Sequence, residues 1–445
     1  MEQPADDSIT ALPQPLIEHI FSFIPFKDLT RTSVLSRRWR YLWTSAPHMS
    51  FDERGFRSSH PRWNPFNLLF LHSSDWFVER ARREAQAKEL FIRMVNRCLS
   101  LSTDALTSAH ILFSVSHRSH ATTLDRWVRS LLNKRRVQEL DLDLDLSRSF
   151  HPEIPRSLLK RRPHGQPSSL RTIHLRNLSL WANSLSLMLE NLVHLENLTA
   201  ENCKLEAGER VIIRSQQSPL KNLSVNRTNS STGWRKVQID LPNLVVFEYR
   251  GCFVDFDHLN LRSLSRAVFG FHGLNGWLMP RLRKAVAAIQ HVKSLQLCAT
   301  SVRVIGDIER SRTSEDFLLG NLEELVVDIE TTQGGLWFLL VRCPNLQTLT
   351  IRGSNGESSR DTPARGALEL PALAVPRLTS LKVEDFGGRE GEHRMMEILL
   401  KEASALEVVK IKVANGRSYF EKLAIMRRFL LLGREFQKAR ILVSL

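Results

Sequence analysis

The residue types that do chemistry are present, but their spacing does not assemble a reaction centre. Asp141, Asp143 and Asp145 alternate with leucine in LDLDLDL, which on an extended strand sets three carboxylates on one face about 7 Å apart. A hard cation takes oxygen ligands of that kind, but the pattern equally describes the solvent face of a strand, and that is the expected reading. His117 and His120 form a lone HxxH in a serine-rich stretch and read as a surface loop; no HExxH occurs among the fifteen histidines. GGREG at 387–391 lacks the lysine and the strand-turn-helix setting of a phosphate cradle, so it also reads as a loop. Neither GxxxxGK[ST] nor GxSxG is present, and no cysteine has a histidine nearby in sequence to act as its base. The chain is therefore expected to be no enzyme, and to need no metal and no cofactor.

The five cysteines, at 98, 203, 252, 298 and 343, are odd in number and include no CxxC, which suggests neither a disulfide framework nor a zinc site and fits a reducing compartment. Lys and Arg total 62 against 47 Asp and Glu, a formal charge of +15, so an acidic partner or a polyanion is physically plausible. The basic residues are scattered, however, in groups such as Arg37-Arg38, Lys134-Arg135-Arg136 and Lys160-Arg161-Arg162. One strip with interleaved aromatics would mark a nucleic-acid surface, and its absence argues against nucleic acid as the partner. The start, MEQPADDSIT, is acidic without an apolar core, and no run approaches the roughly 18 apolar residues of a membrane span. The expectation is a soluble protein of the nucleus or cytoplasm with no membrane partner.

Two kinds of element must carry whatever binding face exists. In LPQPLIEHIFSFIP, Leu16, Ile17, Ile20, Phe21 and Ile24 recur at three- and four-residue steps, which predicts an amphipathic helix. Pro13 and Pro15 fall where a helix begins, and Pro25 stops it. FKDLTRTSVLSRRWRYLW follows, with Asp28 and Ser36 placed as N-caps of two further short helices. A core of about forty residues supplies only a few kcal/mol, so large apolar groups should be left over for a partner.

The second kind is a repeat. LxxLxL or a close variant starts at Val137, Leu170, Leu195, Leu220, Leu244, Leu264, Val292, Leu322, Leu346, Leu378 and Leu406. Intervals of about 20 to 33 residues bracket the spacing of leucine-rich repeats. Each repeat puts its fourth and sixth residues inward from a short parallel strand and cannot cover its own apolar face, so neighbours stack into a solenoid. Cys203 and Cys252 fall at the ninth position, where a side chain bonds the turn after the strand. The outward fifth and seventh positions supply the candidates for target contact on the expected concave face: His174, Arg176, Glu201, Asn226, Glu248, Arg250, Asp328, Arg352, Lys382, Glu384, Lys410 and Lys412. Their mixed signs suit a protein better than a nucleic acid.

The order LP, aliphatic helix, Pro25, Asp28-Leu29 and TSVLSRRWRYLW resembles the F-box of plant F-box proteins. The resemblance implies that Leu12, Pro13, Leu16, Ile20, Ile24, Pro25, Leu29, Val34 and Trp39 contribute to an adaptor interface or to the core behind it. Arg126-Trp127-Val128 resembles the segment that introduces the repeats in plant F-box proteins with leucine-rich repeats, and the segment from Leu406 to the final VSL resembles the FBD region that ends that subfamily. Residues 57–90 depart from the pattern and read as an insertion, with a loop at 57–66.

The expected architecture is thus α/β: a tail at 1–8, a three-helix F-box at 9–50, a helical linker at 51–136, an irregular leucine-rich-repeat solenoid with parallel strands at 137–405, and an FBD-like cap at 406–445 containing a strand, a helix and a closing strand at 441–445. The resemblance implies the substrate-recognition subunit of an SCF-type ubiquitin ligase, docked to a SKP-family adaptor and through it to cullin and RING subunits, with an unknown protein as its target. The competing expectation is a leucine-rich-repeat receptor for a ligand or polyanion, an inositol phosphate or a nucleic acid. It would need Lys and Arg from successive repeats brought to one spot, and no register visible in the sequence does this.

Overall fold

Burial of every second side chain organises the strands. In TIHLR the side chains of Ile173 and Leu175 are fully buried while Thr172, His174 and Arg176 face outward, the alternation of a sheet with one face on the core. The computed structural model describes residues 12–24, 26–34, 43–56, 73–101, 105–144, 152–160, 168–181, 183–205, 210–228, 236–272, 279–308, 318–329, 334–353, 375–436 and 439–444. They belong to two compact units, Met1–Glu206 with Ser218–Leu220, and Ala207–Gln217 with Lys221–Leu445.

The first unit begins with helices α1 (Gln14–Phe23) and α2 (Phe26–Arg31). Next come strand β1 (His48–Asp52), the long helix α3 (Ser73–Leu101), β2 (Ser108–Leu112), α4 (Arg118–Asn133) and β3 (Glu139–Asp143). The unit continues with α5 (Arg156–Leu159), β4 (Thr172–Arg176), β5 (Ser179–Leu180), α6 (Ser184–Asn191), β6 (Asn197–Glu201) and β7 (Lys204–Leu205). β1, β2, β3, β4 and β6 pair side by side, all parallel and in unbroken register. Helices α3 and α4 close over the core through Phe91, Phe113 and Trp127, whose rings lie 5.0 to 6.1 Å apart. The Trp127 indole donates to Asn96 Oδ1 at 2.8 Å, so the one polar atom of that ring is satisfied.

The second unit comprises β8 (Arg210–Arg214), β9 (Asn222–Thr228), β10 (Lys236–Asp240), β11 (Val246–Cys252), β12 (Asp255–Asn260), β13 (Arg266–His272), α7 (Met279–Ala288), β14 (Ser294–Leu297) and α8 (Ala299–Ile308). It ends with β15 (Glu324–Ile329), α9 (Gly334–Val341), β16 (Thr348–Gly353), β17 (Ser380–Phe386), α10 (Glu390–Glu402), β18 (Val408–Val413), α11 (Tyr419–Glu435) and β19 (Arg440–Ser444). A parallel ladder runs β9, β11, β13, β14, β15, β16, β17, β18, β19. A second parallel sheet, β8, β10 and β12, takes the return side of the repeats.

Every one of the predicted LxxLxL stretches is a strand of a ladder, from β3 at Val137 to β18 at Leu406, and the closing strand expected at 441–445 is β19. This is the construction of a leucine-rich-repeat solenoid. Two further rungs, β1 and β2, stand before the stretch in which the repeats are legible.

The chain passes through a left-handed residue just after β4 and β6, at Asn177 (φ 62°) and Asn202 (φ 53°), and near the ends of β9 and β17, at Arg227 (φ 51°) and Asp385 (φ 55°), where the pairing register shifts. Asparagine tolerates that conformation, and here it also bonds the rungs together. Asn177 Nδ2 donates to Asp143 Oδ1 at 2.6 Å, and Asn202 Nδ2 to Asn177 Oδ1 at 2.7 Å. Cys203 behaves as its position predicts, fully buried with Sγ 3.6 Å from the Leu175 carbonyl and 3.5 Å from that of Glu201. Cys252 is only part buried, and the bond at its turn is made instead by its carbonyl, which accepts from Tyr249 Oη at 2.8 Å.

Three local expectations change. His117 and His120 do not lie on a loop: His117 is the N-cap residue of α4, and His120 sits in its first turn against Phe113, ring centroids 5.8 Å apart, because that turn closes the aromatic core. Asp28 is inside α2 rather than at its cap and accepts from Arg31 at 3.0 Å, since the helix already begins at Phe26. GGREG is a loop only as far as Arg389, the N-cap of α10; Gly388 has φ +75°, the left-handed region that favours glycine, and a Cβ there would push on the Ile425 side chain 2.6 Å away. The tail at 1–8, Pro25, Ser36, Trp39, the 57–66 loop and Asp145 lie outside the described residues.

Candidate docking surfaces

Helix α1 has one face turned in and one turned out. Ile17 and Phe21 are buried, as are Phe26 and Leu29 of α2 and Trp43 after it, and Phe26 meets Phe51 of β1 edge to face at 5.4 Å. The opposite face carries Leu16, Ile20 and Phe23 at 50%, 39% and 74% exposure, and Val34 beyond α2 is 85% exposed. Pro13 is exposed, and Leu12 and Ile24 are half-buried. Of the predicted adaptor residues, then, Leu29 packs inward as part of the head's own core, while Leu12, Pro13, Leu16, Ile20, Ile24 and Val34 are accessible. Phe23 was missed, although SFIP places it one helical step beyond Ile20. Apolar surface on this scale is worth about 25 cal/mol per Å² to whatever covers it, and contiguous exposure of this kind marks an interaction site.

The second surface is the row of outward strand positions. In the first unit the ladder aligns Ser50, His110, Asp141, His174 and Thr199 across successive strands. Arg176 bridges Asp141 at 2.9 Å and Glu201 at 3.5 Å, and His110 Nε2 lies 4.0 Å from Asp141. Asp141 and Asp143 are thus occupied by Arg176 and Asn177, which accounts for two members of the aspartate run. Among the described residues no group of His, Cys, Asp and Glu is arranged to hold a metal ion.

In the second unit Glu248 accepts from Arg250 at 2.7 Å and from Ser224 at 3.1 Å, and Asn226 donates to Ser224 at 2.7 Å. Arg352 Nε donates to Glu384 at 2.8 Å. Burial raises the carboxyl pKa of Asp328 above its ordinary value, against the opposing pull of the Arg352 and Arg250 charges. These predicted contact residues form a half-buried, internally neutralised network. Lys382, Lys410 and Lys412 differ: each lacks a carboxylate partner among the described residues, and they line one open cavity of about 300 Å³ with Leu442 and Ser444. The repeat register put Lys382 and Lys410 at the same outward position of consecutive repeats that start 28 residues apart; the pairing of the strands brings them side by side.

Comparison with known proteins agrees with the geometry of the head. The model of the F-box domain matches residues 9–49. The chain carries an F-box at its N-terminus. Along most of its length this F-box chain is similar to a putative F-box/LRR-repeat protein of Arabidopsis thaliana, 26% identical with 93% of each chain covered. A second relative from that plant, a putative F-box/FBD/LRR-repeat protein, is 26% identical over 79% of this chain and 70% of its own. A third, a putative F-box/LRR-repeat protein, is 23% identical over 100% and 99%. Among the described residues no helix is long and apolar enough to cross a membrane.

Proposed function

We propose that the chain is the substrate-recognition subunit of an SCF-type ubiquitin ligase. Its F-box grips a SKP-family adaptor, which links it to cullin and RING subunits, and its ladder faces hold a target protein for ubiquitination in the nucleus or cytoplasm. The observation that carries this reading is the division of α1 into a buried face, Ile17 and Phe21, and an exposed one, Leu16, Ile20 and Phe23. A helix that needed only its own core would not keep three large apolar groups in water. The receptor contributes no nucleophile: it raises the local concentration of a target lysine beside a charged enzyme.

Co-purification with the adaptor tests it. Leu16→Asp with Ile20→Asp abolishes retention while leaving the melting temperature within about 2 °C, since both side chains are already exposed. Leu29→Ala, by contrast, costs about 2 to 5 kcal/mol of stability. Retention of the adaptor by the double aspartate variant rules the reading out.

A further inference from the structure

Lys382 of β17 and Lys410 of β18 are direct cross-strand neighbours, and the same register continues to Leu442 of β19. Adjacent strands lie about 4.8 Å apart, and Lys412 follows Lys410 on the same face about 7 Å along. Like charges set directly opposite one another are destabilising, and the fold gains nothing visible from this pair. Glu384, the one carboxylate lining the cavity, is already held by Arg352 at 2.8 Å. Leu442 stands 40% exposed in the same row, directly beside Lys410. Elsewhere on the solvent face of the second unit, basic residues such as Arg250 and Arg352 have carboxylate partners. Lys382, Lys410 and Lys412 thus differ from Arg250 and Arg352 in having no carboxylate partner among the described residues.

We propose that the open face of β17, β18 and β19 binds an acidic segment of the target protein, its carboxylates meeting Lys382, Lys410 and Lys412 and an apolar side chain seated on Leu442. The inference rests on the substrate-receptor reading and names the chemical class of the target. A cavity of about 300 Å³ is at the bottom of the range for small-molecule sites, and it suits one or two side chains of a longer segment. The exposed leucine disfavours a nucleic acid or a compact polyphosphate, for which Leu442 offers no partner.

The test uses the full chain bound to its adaptor and a fluorescein-labelled probe peptide of alternating Glu and Leu, with a Lys/Leu peptide as its counterpart, read by fluorescence anisotropy. The Glu/Leu peptide binds and the Lys/Leu peptide does not. Changing Lys382, Lys410 and Lys412 together to Gln weakens binding about tenfold, and Leu442→Ser alone weakens it severalfold at unchanged salt dependence. Circular dichroism verifies that each variant is folded, and the single variant Lys410→Gln gives a smaller loss in the same direction if the triple variant is unstable. Undiminished binding by the glutamine variants overturns the proposal. So does an unlabelled single-stranded oligonucleotide or inositol hexakisphosphate that binds the wild type more tightly than the Glu/Leu peptide, since either result assigns the patch to polyanions. Adaptor retention, measured in the same preparations, separates this failure from failure of the ligase reading.

Discussion

Glu53 and Lys88 face each other inside the first unit, Oε1 to Nζ 3.8 Å apart, with Ser114 bonded to both. The Ser114 amide donates to Glu53 Oε2 at 2.6 Å and its hydroxyl to Oε1 at 2.7 Å, while Lys88 donates to the Ser114 hydroxyl at 2.7 Å and to its carbonyl. The charges fasten α3 to the turns that follow β1 and β2. They are almost wholly out of water, so each depends on the other.

Glu53→Gln leaves the Lys88 charge buried without its counter-ion and should cost about 3 to 5 kcal/mol. Urea unfolding measures it. Combining Glu53→Gln with Lys88→Met removes the stranded charge and restores much of the loss. If the single variant unfolds at the wild-type urea concentration, the pair carries no such weight.

Acid should loosen the C-terminal end in a window set by histidine. His393 of α10 is buried between the rings of Phe386 and Phe429, at 5.1 and 5.4 Å, and its Nδ1 meets no partner among the described residues. Burial first, and the Arg428 charge second, lower its pKa below the ordinary histidine value, while Glu390 and Glu397 pull the other way. Burial likewise lowers His120 in the first unit. The folded state therefore binds fewer protons than the unfolded one below about pH 6.5. Stability is full above that pH and declines as pH falls through it, well before the lowered carboxylates of Glu390 and Glu421 begin to protonate. Melting temperatures from pH 7.5 to 5 should show the decline, and His393→Phe should flatten part of it. An unchanged slope in that variant would assign the effect elsewhere.

Thiol reactivity should divide the cysteines. Burial pushes Cys98, Cys203 and Cys343 up to about 12, so they stay protonated and covered at pH 8. Cys252 and Cys298 are part exposed. Iodoacetamide followed by intact-mass measurement should add to these two alone in the native protein and to all five in urea. Native modification of Cys203 would contradict its place beneath the strand turn.

The ladder was legible because the LxxLxL signal lies within single repeats, where buried and exposed positions alternate over six residues. β1 (HMSFD) and β2 (SAHIL) escaped because their inward residues are Met49, Phe51, Ala109 and Ile111, which share the burial but not the leucines. The return-side sheet escaped for a related reason: RVIIR and KVQID alternate as strands do, but lie between the rungs that the repeat search selects. The F-box was read through its motif, though the motif does not separate Leu29, which packs inward, from Leu16, which does not. The repeat register placed Lys382, Lys410 and Lys412 on the outward face, but not the cavity they line with Leu442, because β19 lacks the LxxLxL signal that would have set its register.

The edge-to-face meeting of Phe26 with Phe51 joins the head to the first rung through aromatic rings rather than through a tether. Whatever covers Leu16 and Ile20 therefore bears on a head that is packed, through Phe26, against β1. A change that loosens this ring contact therefore loosens the mount of the F-box on the first rung, and not only the head's own core.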